Sequence, residues 1–305
     1  MEPDKKPLLD PAFLRKLERL RIQARRAFAG TTRGERRSTR RGSSVEFADF
    51  RKYETGDDFR HVDWNIYARL ERLMLRQFIE EEEVRVDILV DRSRSMHFGE
   101  PLTKFDFSIR VAAALAFLAV TGLDRVGIIA FDSTIRERLR ALRGRGHLLS
   151  AISFLNDLAQ AVDGDSFSNE TTNLAAVMRA YQKSNQRSGI VFVISDFMDA
   201  SDFRAEMKLL ARRGYDVNLI QTLSSEETRP EIVGDLLLVD SETGDEREIT
   251  INARALAAYK SILARMMTDL EAFSRANGIG YLLATTDTGF EDLLLKNLIE
   301  SRMAE

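Results

Sequence analysis

The feature that most constrains this chain is an alternation that begins at Val84 and repeats through the rest of the sequence. Short runs dense in β-branched and other apolar residues recur at Val84–Val90, Arg125–Phe131, Ile190–Ser195, Tyr215–Leu223 and Ile279–Ala284. Longer segments with helical spacing separate or follow them: Phe105–Leu123, Gly146–Leu158, Asn173–Ser184, Phe203–Arg213, Ala253–Ala276 and Phe290–Arg302. Strands this uniformly apolar have no polar face to show to water, so both faces must be covered. A helix after each strand supplies that cover. The fold class is α/β, a doubly wound, mostly parallel central sheet with helices on both faces. Two stretches depart from the alternation. Ile135–Leu142 follows Phe131 after only Asp132-Ser133-Thr134, too few residues for a crossover, and reads as a hairpin partner. Leu236–Val239 and Glu248–Ile251 flank Ser241–Asp245 and read as an inserted β-hairpin at about 234–252.

Upstream of Val84 the pattern differs. Phe13, Leu14, Leu17, Leu20, Ala24 and Phe28 fit a basic amphipathic helix over 11–29. Gly30–Ser44 is rich in Gly, Ser, Thr and Arg and reads as a linker. The domain division is therefore 1–44, a basic helical arm and linker; 45–83, an N-terminal extension; and 84–305, the main α/β domain with its hairpin insertion. Charge divides the same way. The net charge of −3 conceals thirteen basic against five acidic side chains in residues 1–42, a surplus of eight. The rest of the chain carries a negative excess of eleven.

A hydrophobic content of 44% supports a sizeable core and excludes disorder over the whole length. With no cysteine there is no disulfide, zinc ribbon or thiol nucleophile. Three histidines disfavour a multi-histidine metal site. The N-terminus lacks a signal-type apolar stretch. The apolar run around Val111–Val120 falls short of the roughly 20 residues a membrane span needs. A cytoplasmic protein with no transmembrane segment is expected.

In a doubly wound sheet, functional groups gather at the carboxyl ends of the strands. Asp91, Ser93 and Ser95 alternate directly after the first strand of the main domain, so in an extended loop they point the same way. Asp196 closes the strand Ile190–Ser195. Thr171-Thr172-Asn173-Leu174 opens a helix and offers another hydroxyl. Oxygen-only donors suit a hard cation such as magnesium. Hydroxyl donors add no charge, so such an ion stays electrophilic and can accept an external carboxylate. Asp and Ser after strands are also ordinary cap and turn residues. Three separate segments each bringing an oxygen to a strand end or helix start weigh towards a site.

Asp91-x-Ser93-x-Ser95, then Thr172, then Asp196, resembles the metal-ion-dependent adhesion site of von Willebrand factor type A domains. The order of elements from about 84 to 300 resembles that fold as well. A second motif runs Phe50-Arg51-x-Tyr53-x-x-Gly56-Asp57-Asp58-x-Arg60-x-x-Asp63-Trp64-x-x-x-Ala68-Arg69. It resembles the hallmark of domain-of-unknown-function family 58, bacterial type A-like proteins associated with MoxR-type AAA+ ATPases. The resemblance covers nearly the whole chain after Ser43. It implies that Ser93, Ser95 and Thr172 bind a metal by their hydroxyls. It implies that Asp91 and Asp196 act directly or through water, and that a partner's Glu or Asp completes the shell. Many type A domains carry Gly before the Thr and after the second Asp; here Thr171 and Phe197 stand there. The implied cofactor is Mg²⁺, or another divalent cation such as Mn²⁺ or Ca²⁺. The implied role is a non-enzymatic, Mg-dependent protein-binding module, an adaptor or co-chaperone. Its partner would be a MoxR-type AAA+ ATPase, a client protein with an exposed acidic residue, or both.

Two other function classes compete. The basic arm suits phosphate backbones, although charge runs are usually solvated faces, and nucleic acid is the weaker partner. A phosphoryl-transfer hydrolase could use Asp91 as nucleophile. Phosphatases of the haloacid dehalogenase type need a second acid two residues on, where this chain has Ser93. There is no Walker-type Gly-x-x-x-x-Gly-Lys and no Gly-x-Ser-x-Gly elbow, so no enzyme is expected. Tyr53–Arg69 is either a partner surface or a structural cap. Trp64 reads first as packing at a loop–core boundary, and Arg60, Asp63 and Arg69 as an internal ion-pair network.

Overall fold

The computed structural model describes Arg15 and residues 46–54, 57–79, 84–121, 125–142, 144–161, 172–184, 188–199, 201–230, 234–239 and 246–289. The helix expected at 11–29 (Arg15 apart), the linker Gly30–Ser44, Thr171 and the final helix Phe290–Arg302 lie outside them. The chain divides into two compact units, Phe28–Glu83 and the remainder.

In the smaller unit, β1 (Glu46–Lys52) pairs antiparallel with β2 (Met74–Ile79), with a register shift between Phe47 and Asp49. The connection carries α1 (Trp64–Leu70). Asp63 starts that helix, its side chain accepting hydrogen bonds from the backbone N–H groups of Asn65 and Ile66. Such a cap satisfies donors that the first helical turn leaves unpaired. Val62, Asp63 and Leu75 are buried, and Val62 bridges to Leu75. Two ion pairs involve the same connection. Arg51 grips Asp57 through two nitrogens at 2.7 and 2.5 Å, and Arg60 grips Asp58 at 2.6 Å. Trp64 does not pack inward: it is 57% exposed and meets Tyr67 edge-on.

The larger unit is an α/β body around a six-stranded sheet. In chain order its elements are β3 (Arg85–Asp91), α2 (Lys104–Thr121), β4 (Arg125–Phe131), β5 (Ile135–Leu142), α3 (Arg145–Gln160), α4 (Leu174–Ser184), β6 (Ile190–Ser195), α5 (Phe203–Arg212), β7 (Asp216–Leu223), α6 (Ser225–Thr228), β8 (Gly234–Val239), β9 (Glu246–Ile251), α7 (Ala253–Ala276) and β10 (Gly280–Thr285). The strand order is β10-β7-β6-β3-β4-β5. Every neighbouring pair is parallel except β4 with β5. β8 and β9 form a separate antiparallel hairpin, Gly234 opposite Ile251.

Alternation along each strand divides the core in two. Val86, Ile88 and Val90 of β3, with Val126, Ile128 and Ala130 of β4, face α2 and α3. Leu89, Ile129, Phe131, Val191, Val193, Val217 and Leu219 face α4, α5 and the C-terminal half of α7. Each such Val, Leu, Ile or Phe side chain, once buried, contributes roughly 1.5–3 kcal/mol. From β3 the chain proceeds to β4 on one side, and from β6 to β7 and β10 on the other. The order reverses between β3 and β6, which opens a crevice at their carboxyl ends. No described helix is long and apolar enough to cross a membrane.

Candidate metal centre at the β3–β6 crevice

Parallel register sets Val90 beside Ile194, so the next residues of both strands arrive together at the crevice. Asp91 ends β3 and Asp196 follows β6. Both are buried, at 1% and 3% exposure. One oxygen of Asp91 accepts from the Ser93 backbone N–H at 2.9 Å. The other accepts from the Ser195 hydroxyl at 2.6 Å. The Ser93 and Ser95 hydroxyls lie 3.1 Å apart, but the loop is not the extended one that their alternation assumed: Ser93 precedes a 3-10 turn over Arg94–His97, and that turn carries Ser95. Four of the five predicted residues are thus brought to one place.

Thr172 lies on a different segment, the one that leads into α4. It is half-buried and stands two residues before α4. The N-terminus of α4 is fastened to the loop that follows Asp196. The Leu174 N–H donates to Asp199 Oδ2 at 2.6 Å, and the Ala175 N–H donates to Ser201 Oγ at 3.1 Å. The Ser201 hydroxyl in turn donates to Asp199 Oδ2. Asp199 and Ser201 therefore cap a helix far from them in sequence, and the cap ties the Thr172 segment to the Asp196 segment.

The loop after Asp196 turns sharply. Phe197 has φ of 55°, a left-handed conformation that costs a bulky L-residue on the order of 1–2 kcal/mol. Three contacts hold it. The Phe197 N–H donates to Ser195 Oγ and the Met198 N–H to Asp196 Oδ1, each at 3.1 Å. The Phe197 ring is buried against Phe203, centroids 5.6 Å apart.

Lys104, Glu227 and Gln221 complete the surroundings, and none was singled out from the sequence. Lys104 opens α2 and is 1% exposed. Its ammonium lies 2.8 Å from Asp196 Oδ2 and 2.7 Å from Glu227 Oε1. Burial opposes its charge, but Asp196 and then Glu227 outweigh burial and raise its pKa. The Gln221 amide donates to the Asp196 backbone carbonyl at 3.0 Å. The balance at Asp91 is different. Burial, and then the neighbouring Asp196 carboxylate, push its carboxyl up to about 7, although Ser195 and Ser93 pull the other way. His97, in the same loop, is drawn down to about 4 by burial.

Among the described residues no three His, Cys, Asp or Glu side chains gather as a metal cluster. The candidate donors are instead two carboxylates and three hydroxyls. This set fits a hard divalent cation, because the oxygens match its preference and added positive charge would relieve Asp91. Such an ion would supply an electrophilic centre open to a further carboxylate.

A family model described as "Protein of unknown function DUF58" matches residues 49–268. The uncharacterized protein Rv1480 of Mycobacterium tuberculosis is 30% identical over 267 residues, 84% of this chain and 81% of its own. The uncharacterized protein Mb1516 of Mycobacterium bovis matches to the same extent. Among solved structures, the conserved hypothetical protein BatB from Bacteroides thetaiotaomicron is 18% identical with a TM-score of 0.45, covering 72% of this chain and 98% of its own. An aerotolerance-related membrane protein from Bacteroides fragilis is 20% identical with a TM-score of 0.45, covering 73% and 100%. The match over 49–268 spans most of the chain, and on that ground the chain belongs to the DUF58 family of proteins of unknown function.

Proposed function

We propose that the larger unit is a von Willebrand factor A-like, metal-dependent protein-binding module. In this reading Asp91, Ser93, Ser95, Thr172 and Asp196 hold Mg²⁺, or Mn²⁺ or Ca²⁺ in its place, and the ion takes up an acidic side chain of a partner. The chain acts as an adaptor or co-chaperone for a MoxR-type AAA+ ATPase and does no chemistry of its own. The observation that carries the reading is the buried pair Asp91 and Asp196, set side by side at a topological switch point with the Ser93 and Ser95 hydroxyls. Burying two carboxylates together is costly unless a cation compensates both, and Lys104 is hydrogen-bonded to only one.

Each residue has a distinct part. Ser93, Ser95 and Thr172 offer neutral oxygens and leave the ion's charge intact. Asp91 keeps lone-pair capacity beyond the bonds from Ser93 and Ser195. Asp196 already accepts from Lys104 and from the Met198 N–H, so it serves the ion through its remaining lone pairs or a water. The ATPase assignment is supported by the Phe50–Arg69 motif and its resemblance to MoxR-associated proteins. Calorimetric titration with Mg²⁺, followed by pull-down of the cognate ATPase with and without Mg²⁺, tests both parts. Mg²⁺-dependent capture that Asp91→Ala and Ser93→Ala abolish is expected. Capture indifferent to Mg²⁺ and to both substitutions would overturn the metal clamp.

A further inference from the structure

We propose that Lys104 and Glu227 form a charge lever that sets how tightly the site holds its divalent cation. The inference rests on the metal reading above and extends it to two residues that are not metal donors. Lys104 acts as an internal cation on Asp196 and weakens the ion's hold. Glu227 draws charge off Lys104 and strengthens it.

The geometry behind this is specific. Lys104 Nζ stands between two carboxylates, 2.8 Å from Asp196 Oδ2 and 2.7 Å from Glu227 Oε1. All three side chains are shielded, with exposures of 1%, 4% and 13%. At such burial charges are poorly screened by salt and act on one another strongly. Glu227 is not loosely placed. Its other carboxylate oxygen accepts from the Ser224 N–H at 2.8 Å, while its own N–H donates to Ser224 Oγ at 3.0 Å. This reciprocal cap fixes the carboxylate. The Ser225 N–H reaches Thr286 Oγ1 at 3.2 Å, which ties α6 to the end of β10. On the site side, Gly99 has φ of 112°, and a Cβ there would lie 3.0 Å from Ser224 Cβ. The loop that carries Ser93 and Ser95 therefore approaches α6 as closely as a glycine permits.

The signs follow from charge. An ion approaching Asp196 meets the ammonium that already occupies one of its oxygens. Removing that ammonium removes a repulsion, so the ion binds more tightly. Removing the Glu227 charge leaves the ammonium less compensated, so the ion binds more weakly. Residues that merely propped the site open would behave otherwise, since losing either would loosen the donors and weaken the ion. Lys104 and Glu227 are positioning residues, and opposite signs are their signature.

The test is Mg²⁺ and Mn²⁺ titration of the full chain as wild type, Lys104→Met, Glu227→Gln and the double variant, each first checked for native far-UV dichroism. Lys104→Met is expected to tighten Mg²⁺ at least about tenfold, a small part of the roughly thousandfold that two unit charges about 4 Å apart give at a permittivity near 20, because solvent and the Glu227 carboxylate offset most of it. Glu227→Gln, one residue further from the ion, is expected to weaken it about threefold or more. The double variant, lacking the ammonium, follows the tighter single one. Tighter binding in Lys104→Met with weaker binding in Glu227→Gln supports the lever. A shift of both in the same direction, with wild type binding Mg²⁺, refutes the lever and leaves the metal reading standing. No Mg²⁺ or Mn²⁺ binding by folded wild type overturns the metal reading, and the lever falls with it. Should Lys104→Met not fold, Lys104→Gln takes its place, its neutral amide able to hydrogen-bond the same carboxylates, with the same tightening expected and weaker binding refuting the lever. Unchanged affinity in Glu227→Gln also refutes the lever.

Discussion

Asp91→Asn should make the protein more stable at neutral and alkaline pH, not less. The Asp91 carboxyl is raised from 3.8 to about 7, by burial first and the Asp196 carboxylate second. The folded state therefore holds the Asp91 proton far more tightly than the unfolded chain does. Below pH 3.8 both states are protonated and the group takes nothing from stability. Between 3.8 and 7 the unfolded chain has lost the proton and the folded protein has not, so stability falls as pH rises. Above about 7 the loss levels off, at about 4 kcal/mol for roughly three units at about 1.36 kcal/mol each. The asparagine amide keeps the shape and carries no charge. Urea unfolding of wild type and Asp91→Asn between about pH 4.5 and about pH 8 reads the Asp91–Asp196 pair, because titrations elsewhere in the chain are shared. The wild type should lose about 3 kcal/mol relative to the variant across that range. The proposed ion would supply the missing positive charge, so Mg²⁺ should raise the wild-type melting temperature at about pH 8 much more than at about pH 5. It should leave Asp91→Asn nearly unmoved. Parallel pH curves for the two proteins would refute the claim that Asp91 is an uncompensated buried acid.

Two further outcomes are expected. Asp199→Ala removes the acceptor 2.6 Å from the Leu174 N–H, which should cost about 1–2 kcal/mol in urea and also weaken Mg²⁺, since Thr172 stands beside that cap. Lost stability with unchanged Mg²⁺ affinity would remove Thr172 from the donor set. At the opposite end of the sheet, Gly127→Ala would put a methyl 2.5 Å from Asp87 Oδ1 and 3.3 Å from Ala141 Cβ. Asp87 is buried and held by the Tyr181 hydroxyl at 2.7 Å and Arg85 at 2.8 Å, so it cannot yield freely. A loss of about 1–3 kcal/mol is expected, and a Gly127→Ala protein within about 0.5 kcal/mol of wild type would contradict this packing.

The order of strands and helices in the larger unit was legible because its strands are covered on both faces. A run such as Ile-Val-Phe-Val-Ile-Ser at 190–195 can hardly be anything but an interior strand. The smaller unit was not. Its strands mix Phe50 with Arg51 and Lys52, and such short two-stranded pairing is decided by partners rather than by periodicity. Asp91, Ser93, Ser95 and Asp196 could be found because they follow strands directly, and the strand-end rule needs only local sequence. Lys104 and Glu227 could not be assigned that way, since their contacts join residues 92 and 123 positions apart. One signal was present. Lys104 adjoins Phe105, Phe107 and Ile109 at the head of an apolar helix, and a lysine there must either reach water or find a carboxylate.

Ser195 and Phe197 show why the neighbours of a motif matter as much as its members. Ser195 precedes Asp196 in an apolar strand and reads as filler, yet its hydroxyl donates to Asp91 and accepts from the Phe197 N–H. It thereby joins the two strand ends through one oxygen. Phe197 adopts the left-handed backbone that a glycine would reach at no steric cost. The strain is offset by burial of its ring against Phe203, which a glycine could not provide. The turn that presents Asp196 is thus held by core packing instead of by backbone freedom. The same geometry is reached at the cost of tying the site to α5, so a cavity opened at Phe203 should be felt at Asp196, although nothing in the motif itself contains that residue.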